Sequence, residues 1–238
     1  MLEMVEIWSY LTESPLIWLT ATLLAYIVGD WAATRAGRAP LVNPVLVAVL
    51  LLAGLLWLTG TSYATYFEGA QFVHFLLGPA TVALAVPLWL NRDSVRRAAL
   101  PILAALVVGS SVALLSALWI GHAFGLPFNL LATLAPKSTT APVALGIAES
   151  LGGSPTLAAV LVILTGMIGA IVVTPLMNAL RIRDWRARGF AVGVAAHGIG
   201  TARALQVHPQ AGAFAGIGMA LNAVLTAFLA PWALALYL

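Results

Sequence analysis

Cysteine is absent from this chain of 238 residues, and charged residues make up only 8% of it, against roughly 25% in an average soluble domain. The lack of cysteine excludes disulfides, thiol catalysis and thiolate metal sites. The sequence also lacks a Walker-type phosphate loop, a zinc pair at helical spacing and a nucleophile elbow. We therefore predict a protein that is not an enzyme or an ATP-driven pump, with no cofactor and no metal site.

Hydrophobic residues, at 62%, dominate what is there. Six apolar runs approach or exceed the roughly 20 residues that cross a hydrocarbon core, at 16–34, 43–60, 71–90, 99–121, 155–178 and 212–237. The pattern predicts an all-α integral membrane protein with about seven to eight transmembrane segments. We expect one polytopic domain over residues 1–238, in which residues 1–15 form a short acidic N-terminal segment.

The positive charge is concentrated in three short loops, which hold nine of the eleven basic residues: Arg35 and Arg38; Arg92, Arg96 and Arg97; Arg181, Arg183, Arg186 and Arg188. The positive-inside rule makes these loops cytoplasmic and places the acidic N-terminus outside, with no need for a nucleic-acid partner. Three apolar segments separate the second loop from the third, where an even number is required. We expect that segment 128–150 is interrupted and does not cross as a simple helix, although a fully crossing broken helix is an alternative.

The interruption in segment 128–150 is the stretch "APKSTTAP". Pro136 and Pro142 each remove a backbone donor and disfavour helix in the residue before them. The sequence predicts helix up to about Leu134 and again from about Pro142. The opened turn between them offers a cation and three hydroxyl groups as candidate ligand-binding residues: Lys137, Ser138, Thr139 and Thr140.

A second discontinuous helix is predicted at 189–205, around "AAHGIGTARAL". Gly198 and Gly200 loosen the backbone, and Thr201 is a good N-cap for a half-helix that carries Arg203 in its first turn. His197 is either a hydrogen-bonded packing residue or a group that titrates beside Arg203. Lys137 and Arg203 are the two basic residues outside the loops. A cation inside an apolar segment is costly, and the residues that carry one are therefore usually functional.

Two weaker signals complete the candidate site. Gly78, Pro79 and Thr81 mark a third interrupted segment, and Asn222 lies inside the last apolar run, where it either completes a binding pocket or sodium site or bridges helices. Half-helix N-termini beside buried cations attract small anions, and discontinuous helices are the working parts of secondary transporters. The residues therefore predict a small-anion site in which 128–150 and 189–205 form the binding core.

Four stretches, "LGPATVALAVPL", "APKSTTAPVALGIAESLGG", "VILTGMIGA" and "AAHGIGTARAL", resemble the signature blocks of the LrgB/CidB family of bacterial membrane proteins. The resemblance runs from about residue 15 and extends to the C-terminal part of the plant plastidial glycolate/glycerate translocator. It implies a place in the bacterial cytoplasmic (inner) membrane and one of two functions. Relatedness to the cation/proton antiporter and anion transporter superfamily would add crossed broken helices and an inverted repeat.

The first function is secondary transport of small monocarboxylates of the glycolate/glycerate or pyruvate/lactate type, with H+ or Na+ as candidate coupling ion. The second is antiholin-like restraint of murein hydrolase activity and autolysis, exerted with a small holin-like membrane partner. A regulator has no need for two buried cations beside opened helices, whereas a carboxylate carrier does, and this favours transport. Because 238 residues are few for a carrier with moving and fixed parts, we expect a homodimer.

Overall fold

The computed structural model of the chain describes residues 15–39, 41–76, 79, 82, 89–90 and 92–237. Within these residues the structure is α-helical without strands, which confirms the predicted fold class. The chain forms two compact units, Met1–Ala83 and Leu84–Leu238. The helices are α1 (Pro15–Arg35), α2 (Pro44–Thr59), α3 (Tyr63–Phe75), α4 (Arg92–Arg97), α5 (Ala99–Ala123), α6 (Phe128–Leu134), α7 (Ala141–Ser150), α8 (Pro155–Ala179), α9 (Trp185–Val207) and α10 (Pro209–Leu234), followed by a 3-10 turn at Ala235–Tyr237.

Four of these helices are long and apolar enough to span a membrane: α1, α5, α8 and α10 with its 3-10 extension. Helix α2 is apolar but shorter. The acidic residues before position 15 lie outside the described residues, as do Gly78 and Thr81 of the third interrupted segment. Pro79 is described only as an exposed helical residue, so that interruption stays a prediction.

The first unit is a bundle of α1, α2 and α3 held by close backbone approaches. A Cβ on Gly29 of α1 would lie 2.4 Å from the carbonyl oxygen of Pro44, and a Cβ on Gly69 of α3 would meet the backbone of Pro15. The rings of Trp18 and Tyr66 pack edge to face between α1 and α3 at 6.0 Å. Small residues thus let the helices of this unit approach closely, as is usual in membranes.

In the second unit, segment 128–150 folds back on itself. Helix α6 ends at Leu134 and α7 begins at Ala141, within a residue of where the two prolines predict the break. The backbone N–H of Ser154 donates a hydrogen bond of 2.8 Å to the Thr133 hydroxyl, although a continuous helix would separate these residues by about 31 Å. We call α6, α7 and the turn between them, residues 135–140, hairpin 1. The first half does not continue across the unit.

Helix α9 is a second hairpin, made of two helical halves that meet at a kink. The backbone leaves the helical region at Ala196 and His197. At 1.5 Å per residue, a straight helix would place Trp185 and His208 about 34 Å apart, yet their rings stack in parallel with centroids 4.8 Å apart. We call α9 hairpin 2, with its tip at Ala196 and His197. Asp184 caps its first half, and hydrogen bonds from the Arg186 side chain lower the pKa of Asp184 to about 2.

The two hairpins enter the second unit from opposite ends. Arg97, before α5, and Asp184, before hairpin 2, border one cavity and so define an arginine end. His122, at the close of α5, contacts the Tyr237 ring at 5.0 Å and defines the far end. Hairpin 1 follows α5 and enters from the far end, whereas hairpin 2 and the start of α10 lie at the arginine end.

A hairpin followed by a long apolar helix therefore occurs twice, at 128–179 and at 185–234, in opposite orientations. This is the inverted-repeat arrangement that many carriers share. The resemblance to the superfamily implied broken helices that cross each other. In the structure each broken helix instead folds back on itself, and the two tips meet. With hairpin 1 returning to its own end, an even number of crossings joins the second arginine loop to the third, as their charges require.

Hairpin 2 and α10 pack as closely as backbones allow. A Cβ added to Gly189 or Gly193 would lie 2.0 Å from the carbonyl oxygens of Ala211 and Ala215, respectively. The spacing of these two glycines is the small-xxx-small pattern of tightly packed membrane helices. The first half of hairpin 2 consequently runs parallel to α10, and its second half returns antiparallel.

The fold-back of hairpin 2 can be tested by single-cysteine labelling, because the chain has no cysteine of its own. We expect Arg183→Cys and Val207→Cys to react with an impermeant maleimide from one side of sealed vesicles. Phe124→Cys and Ser150→Cys should react from the other side only. Labelling of Val207→Cys from the same side as Phe124→Cys would mean that α9 crosses the membrane.

Candidate functional site

The tip of hairpin 1 is an opened turn in which Ser138 and Thr139 are buried and Thr140 is half-buried. Thr139 is fully buried, and its hydroxyl donates to the carbonyl oxygen of Pro136 at 2.9 Å. Thr140 occupies the N-cap position of α7 with an extended backbone, and Pro142 lies in the first helical turn, where proline is preferred. The Thr139 hydroxyl thus forms its hydrogen bond within the turn. This bond to the backbone explains why a polar side chain can be buried here.

Lys137 is the cation of this tip, and it borders a cavity of about 420 Å³ between α8 and the first half of hairpin 2. Its Nζ donates to the hydroxyl of Ser138 at 3.0 Å. Among the described residues, no carboxylate lies within 4 Å of this ammonium group. Ala195 and Ala196, at the tip of hairpin 2, line the same cavity. The structure therefore places the predicted lysine where the two broken helices meet.

The tip of hairpin 2 depends on an unusual backbone conformation of His197. Its φ of 41° and ψ of −134° belong to a region that is populated almost only by glycine and costs other residues about 1–3 kcal/mol. The ring is buried, and Nε2 lies 2.9 Å from the carbonyl oxygen of Val162 in α8. A carbonyl only accepts, so Nε2 carries the proton. His197 is a hydrogen-bonded packing residue, the first of the two alternatives from the sequence.

Two glycines of α8 make room for this tip. A Cβ on Gly166 would lie 2.6 Å from Cε1 of His197, and a Cβ on Gly169 would lie 2.3 Å from Cβ of Ala196. Either methyl group would push the tip away from α8 and from the hydrogen bond at Val162. The seat of hairpin 2 is therefore built from small residues on a neighbouring helix.

Asn222 of α10 joins both tips. Its Nδ2 donates to the carbonyl oxygens of Ser138 at 3.0 Å and Val194 at 3.1 Å, and its Oδ1 accepts from Ser110 at 2.6 Å and Thr226 at 3.3 Å. The two backbone carbonyls only accept, which establishes which end of the amide is the NH2 group. Asn222 is 1% exposed. With both donors and two acceptor positions occupied, it bridges helices rather than offering ligands to a cavity.

The remaining predicted residues of hairpin 2 do not line the Lys137 cavity. Thr201 donates its hydroxyl to the carbonyl oxygen of His197 at 2.8 Å, so it bonds within its own helix. The prediction that Thr201 caps the second half-helix is wrong, because the break lies at Ala196 and His197. Gly200 packs against Ala196 and Val192 between the two halves of the hairpin, and Gly198 approaches the sulfur of Met219.

Arg203 is half-buried in the second half of hairpin 2 and borders a separate, smaller cavity near Arg188 and Trp185. The two intramembrane cations thus line different cavities. The sequence indicated no role for five residues near the tips: Ser110 and Thr226, which bond to Asn222, Thr165, which lines the Lys137 cavity, and Gly166 and Gly169, which pack against the tip of hairpin 2. Ser110 and Thr226 are polar residues in the middle of the apolar runs 99–121 and 212–237, and this is the sequence feature that could have identified them. In the described part of the chain, no group of three or more His, Asp or Glu side chains is arranged to hold a metal.

Two re-entrant hairpins, inserted from opposite ends among long apolar helices and joined at their tips by one buried amide, define a multi-pass membrane protein of the inverted-repeat type. The chain belongs to the LrgB-like family, whose model matches residues 22–236. This confirms the family expected from the sequence motifs.

Relatives cover most of the chain. Uncharacterized protein YxaC of Bacillus subtilis is 38% identical over 192 residues, which are 81% of this chain and 84% of YxaC. Uncharacterized protein YwbG of the same organism is 34% identical over 216 residues, covering 91% and 96%. Holin-like protein CidB of Staphylococcus aureus is 34% identical over 192 residues, covering 81% and 84%. No solved structure matches the chain.

The strain at His197 leads to an unusual order of stabilities. Glycine adopts this backbone conformation without cost, whereas alanine keeps the strain, and both substitutions lose the bond to Val162. We expect His197→Gly to be more stable than His197→Ala by about 1 kcal/mol in free energy of unfolding, after allowance for the greater freedom of glycine in the unfolded chain. Denaturation in mixed micelles would measure the difference, and a less stable glycine variant would contradict the strain.

Removal of the Asn222 amide should be far more harmful than removal of one of its partners. Asn222→Ala leaves the carbonyls of Ser138 and Val194 without this donor, and we expect a loss of about 2 kcal/mol or more. Thr226→Val keeps the shape and removes one long hydrogen bond, so its cost should stay below about 1 kcal/mol. The same denaturation assay compares the two variants. Equal losses would mean that the amide does not hold the tips together.

Proposed function

We propose that this chain is an antiholin-like regulator in the cytoplasmic membrane of a bacterium. In this role it acts with a small holin-like membrane partner and restrains murein hydrolase activity and autolysis. The support is the family and the relative named holin-like protein CidB, which this chain matches over 81% of its length. We place this function before transport, which the residues alone favoured, because the family and the name of the relative CidB favour it.

One structural observation fits such a regulator. Two hairpins inserted from opposite ends meet at mid-depth, and a single neutral amide, Asn222, holds both tips. A junction made of hydrogen bonds can be opened by a partner without separating ion pairs in a medium of low dielectric constant. We infer that the small holin-like partner acts upon these tips.

The regulatory role is tested in cells that lack their own LrgB-family genes and carry this chain with the small partner. We expect wild-type protein to slow autolysis and lower secreted murein hydrolase activity on zymograms, compared with the partner alone. Asn222→Ala should lose the effect and Thr226→Val should keep it, at equal amounts of protein in the membrane fraction. Unchanged autolysis with wild-type protein in the membrane would overturn this function.

A specific observation supports a second candidate, the carriage of small monocarboxylates. Lys137 borders a cavity at the junction of the two broken helices, with no described carboxylate within 4 Å. A cation at membrane depth is costly unless an anion accompanies it, and binding at the junction of an inverted repeat is the arrangement of secondary transporters. Thr165, which also lines the cavity, offers one hydroxyl to a ligand.

The carrier candidate is tested by uptake of labelled glycolate and pyruvate into proteoliposomes at two pH values, with and without sodium. We expect saturable uptake that Lys137→Ala abolishes and that Arg183→Ala, which removes an exposed loop cation, leaves intact. The uptake rate of the Arg203→Ala variant shows whether the second intramembrane cation, which lines a separate cavity, contributes to transport. Uptake no higher than in empty liposomes under every gradient would eliminate this candidate and leave the regulatory role standing.

We further propose that the protein is a homodimer in the bacterial inner membrane, with its arginine loops in the cytoplasm and its acidic N-terminus outside. The support is the concentration of arginine in three loops and the small size of the chain. Mass measurement in nanodiscs that found only monomers would contradict the dimer. Impermeant labelling of Arg183→Cys in intact cells would contradict the orientation.

A further inference from the structure

The cavity beside Lys137 is chemically one-sided. Its polar side chains are the ammonium group of Lys137 and the hydroxyl of Thr165. The rest of its wall is aliphatic or small, and it includes Ile168, Val172 and Leu176 of α8, which are 61%, 42% and 45% exposed along its open side. A ligand that fits this surface carries one negative charge at one end and little polarity elsewhere.

The ammonium end has unused capacity to bind an anion. A lysine has three N–H donors, and one of them is directed at the hydroxyl of Ser138. Two donors remain for the oxygens of a carboxylate. Because no described carboxylate of the protein lies within 4 Å, a bound anion would supply the counter-charge that a cation at this depth requires.

The apolar wall discriminates against further polar groups. A hydroxyl on the part of a ligand that lies along α8 would meet aliphatic side chains, which cannot replace the hydrogen bonds to water that the contact displaces. Thr165 can satisfy one such group, but not two. A second carboxylate would be more costly still, since no second cation lines this cavity.

The volume of the cavity points the same way. About 420 Å³ would hold roughly 14 water molecules at about 30 Å³ each. A two-carbon acid would leave most of the apolar wall in contact with water, whereas each further methylene placed against α8 would remove apolar surface from water. The gain corresponds to about a fourfold increase in affinity per buried methylene.

We propose that this cavity binds short aliphatic monocarboxylates, with the carboxylate on Lys137 and the hydrocarbon body along α8, in preference to hydroxylated acids such as glycolate and glycerate. This inference rests on the anion site of the carrier candidate and defines its substrate class more narrowly. The antiholin-like role does not depend on it.

The experiment is calorimetric titration of the full-length protein in nanodiscs with acetate, butyrate, isovalerate, glycerate and succinate, with empty nanodiscs as blank. We expect butyrate and isovalerate to bind at least about tenfold more tightly than acetate, in line with about fourfold per methylene. Glycerate and succinate should bind at least about tenfold more weakly than butyrate. Lys137→Gln should abolish the binding of every acid.

A matched pair of variants tests the wall independently of the lysine. Val172→Thr places a hydroxyl on the cavity wall at constant shape, whereas Val160→Thr makes the same change on α8 outside the cavity. We expect Val172→Thr to weaken butyrate severalfold and to narrow its advantage over glycerate. Val160→Thr should leave both affinities unchanged. This pair also serves if Lys137→Gln does not fold.

The outcomes separate the inference from the carrier candidate. Lysine-dependent binding in which glycerate equals or exceeds butyrate would overturn the aliphatic preference and leave the anion site intact. Heat signals that are equal in wild type and Lys137→Gln, or that match the empty nanodiscs, would overturn both. An equal response of the Val172→Thr and Val160→Thr variants would overturn the assignment of α8 as the recognition wall.

Discussion

The second unit depends on one buried side chain, the amide of Asn222. Both hairpins end in opened backbone, and opened backbone at membrane depth must have its polar groups satisfied by protein. Asn222 does this for Ser138 in one hairpin and Val194 in the other, while Ser110 and Thr226 hold its oxygen. Four segments that are distant in sequence are thereby joined at a single point.

The residues near Asn222 include a strained backbone at His197 and helices that pack at backbone distance. His197 adopts a conformation suited to glycine, and in return its ring bonds to α8 and its carbonyl to Thr201. Glycines on α8 and on hairpin 2 let the tip and α10 approach at backbone distance. A hairpin of two short helices becomes stable inside a membrane because its neighbours supply contacts on several sides.

The family and the geometry suggest functions that share this junction. The family and the name of the relative CidB favour the proposed regulatory role, and the lysine cavity favours the binding of a small carboxylate. Both proposals place the working part at the tips, where the hairpins are joined by neutral hydrogen bonds and one cation faces a cavity. A ligand on Lys137 and a partner acting on the tips would therefore influence the same contact.

Much of the site was readable from the sequence. Pro136 and Pro142 located the first break to within a residue, because proline acts on its own backbone and on that of its neighbour. The second break was misplaced at Gly198 to Thr201, since no local signal marks a histidine held at positive φ by a distant carbonyl. The two choices for Asn222 and for His197 also stayed open, because each depends on which atoms another helix brings near.

The sequence by itself determined the membrane class, the family, the position of the first break and the even number of crossings between arginine loops. These follow from composition, proline chemistry and charge, which are local properties of the chain. Tertiary structure alone decided that α9 folds back, that the tips meet at Asn222, and that Lys137 and Arg203 line separate cavities. The physical reason is that these outcomes are decided by contacts between residues far apart in sequence, whose energies no local pattern contains.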